Sequence, residues 1–238
     1  MPFCAGHFYL DAVAFDLDGT LIESIDVYVR LLNTALRRIG VAEAPRDQVL
    51  AAIREGGFDW SQVLTDVRGR RRDEIIQKAM AVINGMYQDI FTREVTLVPG
   101  ADVLLKQLSA QGIRIGLVTS TQMKFIEYKL YPLRRAGVDG VFETIVTTED
   151  VHKKKPAADP LIECGKRLSV DLNKMVYVGD TVVDIRAGKA AGTMTVGVLT
   201  GVDDYESLKG EDPDAILDSV AALKDLFAHS PLIYWDPE

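Results

Sequence analysis

Six short apolar runs recur along the chain: DAVAFD (11–16), IRIGLVTS (113–120), VFETIVTT (141–148), MVYVGD (175–180), TMTVGVLT (193–200) and DAILDS (214–219). Val, Ile and Phe dominate them, and most show little alternation of apolar and polar positions. A strand covered on both faces has this pattern, which points to a parallel sheet. Between the runs, residues 100–111, 122–136, 159–169, 181–191 and 219–228 carry apolar residues at helical spacing. Strands alternating with helices predict an α/β fold, a Rossmann-like doubly wound parallel sheet.

The stretch from about residue 24 to about residue 94 breaks this rhythm and holds no strand pattern. IDVYVRLLNTALRRIG is amphipathic and ends on glycine, as helices often do. RDEIIQKAMAVINGMYQDIF is a second long amphipathic pattern, with PRDQVLAAIREGG and DWSQVL as shorter helices between them. The expected organisation is a core domain of residues 1–22 and 95–238 and an inserted α-helical cap of residues 23–94. The chain would enter the cap near 21–23 and leave it near 96–99.

The polar residues that end the apolar runs bring in chemistry. Ligands of an open parallel sheet bind beyond the carboxyl ends of its strands. The first run ends on Asp16 and Asp18, the second on Thr119 and Ser120, and the fourth on Asp180, with Asp184 one helical turn later. HKKKPAADP follows the third run. Aligned strands would gather these carboxylates at one edge, where they repel one another and need a cation. Oxygen ligands without His or Cys suit Mg²⁺. Blander roles compete at each position: Asp180, Thr119 or Ser120 as a helix cap, and Lys153, Lys154 and Lys155 as an exposed basic run.

Composition narrows the field. The net charge of −8 over 238 residues gives no field that attracts nucleic acid, and an anionic substrate would need local cations. No apolar run reaches membrane-spanning length and no signal peptide is evident, so a cytoplasmic protein is expected. Cys4 and Cys164 lack metal-type spacing and are expected as reduced thiols, and three histidines (His7, His152, His229) argue against a histidine-rich metal site.

Four motifs together resemble the haloacid dehalogenase superfamily of phosphotransferases. They are FDLDGTL (15–21), IGLVTS (115–120), KKP (154–156) and VYVGDTVVDIRAGKAAGT (176–193). The resemblance runs from about residue 9 to about residue 226. The helical insert after the first motif is similar to the cap of phosphoglycolate phosphatases and β-phosphoglucomutases. It implies Asp16 as the nucleophile that forms an aspartyl-phosphate, and Asp18 as the acid that protonates the leaving oxygen and then activates water. Asp18 would be protonated while Asp16 is ionised. Thr119 would hold a phosphoryl oxygen beside the Ser120 N–H, and Lys155 would neutralise charge. Asp16, Asp180 and the Asp18 carbonyl would bind Mg²⁺, and Asp184 would bind through water or orient Lys155. Gly19 would permit the turn beside the substrate.

Asp18 itself favours phosphate over carbon–halogen chemistry, since the relatives that cleave carbon–halogen bonds lack an aspartate there. Lys78, the insert's single lysine, reads as a solvated residue rather than an imine former, and Arg70, Arg71 and Arg72 as a solvated run just before a helix. In the loop from Arg54 to Gln62, Gly56 and Gly57 give backbone freedom, Arg54 is placed to meet a substrate carboxylate or second charge, and Trp60 to pack on the substrate. A surface arginine and a cap-core tryptophan are the alternatives. Glu23 is expected near the cap entry. The implied function is a Mg²⁺-dependent phosphatase for a small phosphorylated metabolite, phosphoglycolate being the analogy. It would act as a monomer or homodimer with no nucleic-acid or membrane partner. A sugar-phosphate mutase and a silent phosphate-binding protein are the alternatives.

Overall fold

The structure is a computed structural model that describes residues 8–54, 58–229 and 233–234. Its centre is a six-stranded, wholly parallel sheet in the order β4-β3-β2-β5-β6-β7. The strands are β2 (Ala12–Phe15), β3 (Arg114–Val118), β4 (Thr144–Val146), β5 (Met175–Gly179), β6 (Met194–Val198) and β7 (Ala215–Leu217). A separate two-residue pair, β1 (Phe8–Tyr9) with β8 (Ile233–Tyr234), has no counterpart in the apolar pattern, being too short to show a period.

Both faces of the sheet are covered, which explains the missing alternation. On β2 and β5, Val13, Phe15, Val176 and Val178 join one apolar cluster, while Ala12, Ala14, Met175 and Tyr177 join another on the opposite face. The second face is sealed by α8 (Asp159–Leu168) and α9 (Val182–Ala191), through Leu161, Cys164, Leu168 and Ala187. Burial pushes the Cys164 thiol up to about 12, which keeps it an apolar filler. Cys4 and His7 lie outside the described residues.

Among the described residues, four helices make up the insert that follows β2, as the periodicity predicts: α1 (Ile25–Arg38), α2 (Arg46–Ile53), α3 (Trp60–Val63) and α4 (Gly69–Glu94). Helix α1 buries Val27, Leu31, Leu32, Ala35 and Leu36 and packs on α4, which buries Ala79, Ile83, Tyr87 and Phe91. Arg70–Arg72 fall within the first turn of α4 rather than before it, and Lys78 is exposed on its outer face. The chain enters and leaves this insert side by side. Ile22 bridges Leu97, Glu23 N–H donates to the Thr96 carbonyl at 2.9 Å, and Val98 N–H donates to the Leu21 carbonyl at 2.9 Å.

The remaining helices are α5 (Ala101–Ala110), α6 (Met123–Lys129), α7 (Tyr131–Arg135), α10 (Tyr205–Gly210) and α11 (Leu223–His229). The single helix expected over 122–136 is two, because Pro132 in the first turn of α7 cannot donate its backbone N–H to a continuing helix. The helix expected over 219–228 begins as a 3₁₀ turn, Val220–Ala222, before α11. Helix α10, one and a half turns capped by Asp204, is too short to show a period. No helix among the described residues is long and apolar enough to cross a membrane.

Candidate active site

Strand β2 lies between β3 and β5, so the carboxyl ends of three strands meet where the strand order reverses. The ladder runs one residue past β2, with Asp16 N–H donating to the Val178 carbonyl at 2.8 Å. Beyond it the chain turns at Gly19, whose φ is +78°. A Cβ on Gly19 would stand 2.5 Å from Asp180 Oδ2. The turn is pinned by Thr200, which donates to the Gly19 carbonyl at 2.6 Å, and by Thr20, which donates to Asp180 Oδ1 at 3.1 Å.

Three carboxylates converge there. Asp16, Asp180 and Asp184 are buried, and each offers an oxygen within 4.8 Å of the others. Lys155 is buried among them, donating to Asp16 Oδ1 at 2.7 Å, Asp184 Oδ1 at 2.6 Å and the Tyr177 hydroxyl at 2.9 Å. Lys153 and Lys154 are exposed, so the basic run divides as expected. Asp180 does not cap α9: Thr181 is the N-cap, and Asp184 completes a capping box with it. Asp180 instead accepts from Thr20 and from the Val202 N–H at 2.8 Å.

Asp18 stands apart from this cluster. Its carboxylate accepts from Lys129 at 2.5 Å, Ser24 at 2.6 Å and Thr121 at 3.1 Å. Its side chain therefore does not join the other three acids, and the ligand atom expected of it is its backbone carbonyl. Thr119 is buried with its hydroxyl accepting from the Thr121 N–H at 3.1 Å, while Ser120 and Thr121 line the cleft. Gly19 backs onto Asp180 and is not part of the cleft wall.

The electrostatics follow from burial. Desolvation raises Asp16 to about 7: Lys155 lowers it, while Asp184 and Asp18 raise it further. Asp180 is raised well above its ordinary value by burial and by Asp16 and Asp184. Burial also works to raise Asp18, but the charge and hydrogen bond of Lys129, with Ser24 and Thr121, hold it below the ordinary value. Lys155 is raised despite burial, by Asp16 and Asp184. In the protein alone, then, the expected order is reversed, with Asp16 the proton-holding acid and Asp18 the ionised one. Burial is the chief cause at Asp16, and the neighbouring acids add to it, since three carboxylates against one ammonium leave an excess of negative charge. An all-oxygen donor set with that excess fits a divalent cation, whose charge would return Asp16 to its ionised form.

The cleft above Asp16 has a volume of about 410 Å³ and is walled by the insert on one side and the sheet edge on the other. Trp60 lines it, with its ring 4.8 Å from that of Phe58, so it is both a cleft residue and a packed one. Arg54 also lines it, but its Nε pairs with Asp203 Oδ1 at 2.8 Å, a core carboxylate that is 2% exposed. Glu23 accepts from Thr96 at 2.6 Å and lies outside this cleft. Gly56 and Gly57 fall outside the described residues.

The sequence reading missed Lys129, Tyr177, Thr20, Ser24 and Thr121. Lys129 left a signal, since it sits in the apolar stripe formed by Ile126, Leu130 and Leu133, where a lysine without a partner would be costly. Tyr177 left none, because tyrosine is ordinary within a buried strand.

Carboxylates on a parallel-sheet edge, a buried lysine and a helical insert over them make an α/β protein with a site suited to a cation and an anionic ligand. The family model for haloacid dehalogenase-like hydrolases matches residues 13–198, well over half of the chain. The chain belongs to that family. It is 33% identical over 220 residues to a phosphoglycolate phosphatase of Neisseria meningitidis, covering 89% of this chain and 91% of that protein. It is 29% identical over 212 residues to the pyrophosphatase PpaX of Bacillus velezensis, covering 89% and 94%. The fold matches the crystal structure of a predicted phosphoglycolate phosphatase from Haemophilus somnus with a TM-score of 0.80 and 23% identity, over 91% of this chain and 97% of that one.

Proposed function

We propose that the protein is a Mg²⁺-dependent phosphatase that hydrolyses a small phosphate monoester through an aspartyl-phosphate on Asp16. The observation that carries the reading is the Asp16 carboxylate itself. Lys155 holds Oδ1, and no donor among the described residues takes Oδ2 at the floor of the cleft. That second oxygen is the one free to attack phosphorus. Family relatives named as phosphatases, at up to 33% identity, support the same class of reaction.

Asp16, Asp180 and the Asp18 carbonyl would hold the cation, with Asp184 steadying Lys155 through the hydrogen bond between them. A bound Mg²⁺ supplies charge neutralisation for carboxylates and phosphate at close quarters. The remaining work belongs to the chain. Asp16 Oδ2 displaces the alkoxide from phosphorus, and Asp18, which must first take up a proton from solvent, gives that alkoxide its proton. Asp18 is then a carboxylate, the state that Lys129, Ser24 and Thr121 stabilise in this structure. As a carboxylate it takes a proton from water, which attacks phosphorus, frees Asp16 and returns Asp18 to its acid form. Lys155 offsets charge on Asp16 throughout, as a point charge within hydrogen-bond reach. The insert, residues 23–94 in this reading, forms the cap that excludes bulk water from the phosphoenzyme.

The test is phosphate release from a panel of phosphate monoesters with Mg²⁺ present. Asp16→Asn is expected to lower kcat by on the order of a thousandfold or more, since the nucleophile is lost. Release that survives this substitution, or no release from any ester by the unaltered protein, would remove the reading.

A further inference from the structure

The cleft is built for more than a phosphoryl group. At about 410 Å³ it falls in the size range that encloses a ring-bearing ligand, whereas a two-carbon acid would leave most of it to water. Its lining is rich in aromatic rings. From the insert come Tyr28, Phe58 and Trp60, with ring centroids 5.8 Å apart for the first pair and 4.8 Å for the second. Tyr87, from α4 of the same insert, and Phe125, from α6, also line the cleft, stacked at 4.2 Å, and Tyr87 stacks on Phe91 as well at 4.1 Å.

A short carboxylate substrate would need an unengaged cation inside this cleft. Among the described residues lining it, Arg54 pairs with Asp203 through Nε alone, Lys129 with Asp18, and Lys155 with Asp16 and Asp184. Lys154 is exposed at the mouth, where water screens its charge. The hydroxyls of Tyr28 and Tyr87 make no hydrogen bond with any described residue. They remain available to a polar edge of a bound ring.

We propose that the ester taken by this cleft is the phosphate of an alcohol that carries a flat, largely apolar ring, aryl or heteroaryl, and not a short carboxylate such as phosphoglycolate. The ring packs against Trp60 with Phe58 and against Phe125 with Tyr87, while the phosphate rests over Asp16. The proposal rests on the phosphatase reading for turnover, but not for binding.

Leaving-group chemistry is held constant by comparing phenethyl phosphate with ethyl phosphate, both alkyl esters, alongside phosphoglycolate. The Mg²⁺-loaded protein is expected to show kcat/KM for phenethyl phosphate about tenfold or more above either of the others. Trp60→Ala and, separately, Phe125→Ala are expected to shrink that ratio severalfold. Calorimetric titration of the unaltered protein with phenethylphosphonate and ethylphosphonate, which have no ester bond to hydrolyse, gives a second readout with the same expected order. Equal values, a preference for phosphoglycolate, or a ratio untouched by both substitutions would overturn the ring proposal. Tighter binding of phenethylphosphonate with no ester turned over would uphold it and remove the phosphatase reading instead.

Discussion

At the scale of single residues, Gly19 shows how little latitude the site allows. Its φ of +78° lies in the left-handed region, and a methyl group there would stand 2.5 Å from an Asp180 oxygen. Gly19→Ala must therefore strain the turn and push Asp180 out of the acid cluster at once. The expected outcome is a loss of phosphate release of about a hundredfold or more, the scale of displacing a charge-stabilising group. A variant with full activity would show that Asp180 has no fixed place in the chemistry. The apposition of Asp16, Asp180 and Asp184 was legible beforehand because each ends, or closely follows, an apolar run, whereas Lys155 read as part of a basic run and joined them only through the resemblance. The partners of Asp18 were not, because Ser24, Thr121 and Lys129 come from two separate loops and a helix whose approach to Asp18 depends on tertiary packing.

At the scale of elements, the strands were easier to read than the helices. A strand buried on both faces leaves an unbroken apolar signature, and all six runs contain a strand of the central sheet. The helical reading failed where a local rule cut across a long pattern, as Pro132 does between α6 and α7. The insert was legible because α1 and α4 are amphipathic, and their pairing gives each a buried side. Leu31 is 1% exposed on the face of α1 turned to α4. Leu31→Ala is expected to cost about 3 kcal/mol through lost transfer energy and the cavity left behind. Urea denaturation measures this, and a cost below about 1 kcal/mol would mean that the helix pair is not packed as described.

For the whole molecule, the excess negative charge at the sheet edge links folding, pH and metal. Burial raises Asp16 from 3.8 to about 7 in the protein alone, and Asp180 moves in the same direction. A carboxyl with a raised folded value holds its proton more tightly when folded than when unfolded. Its contribution is fully present below 3.8 and is lost as pH rises through about 7. The Tm of the metal-free protein is therefore expected to fall between about pH 5 and about pH 8 on this account. Mg²⁺ should raise Tm more at the upper end than at the lower, because it binds the ionised acids. A Mg²⁺ shift that is equal at both ends would separate the acid cluster from the metal.

A second link at this scale joins the insert to the sheet edge through Arg54 and Asp203. Asp203 also accepts from the Val182 N–H at 2.8 Å. Breaking the pair with Arg54→Met frees the insert to swing while leaving that bond at the start of α9. KM is expected to rise severalfold with kcat changed less, and added salt should mimic the effect in the unaltered protein because Arg54 is half in water. A variant with unchanged KM and salt response would show that the pair does not hold the cleft closed.

The adjacency of the two crossings at Ile22 and Leu97 has a wider consequence. Since the polypeptide departs from the sheet and comes back at almost the same point, nothing in the strand order depends on what is spliced between. That junction is a socket. Longer, shorter or differently shaped plugs can be fitted into it without disturbing the acids beneath, so the share of the cleft wall that this segment supplies is free to change while the strand order stays as it is.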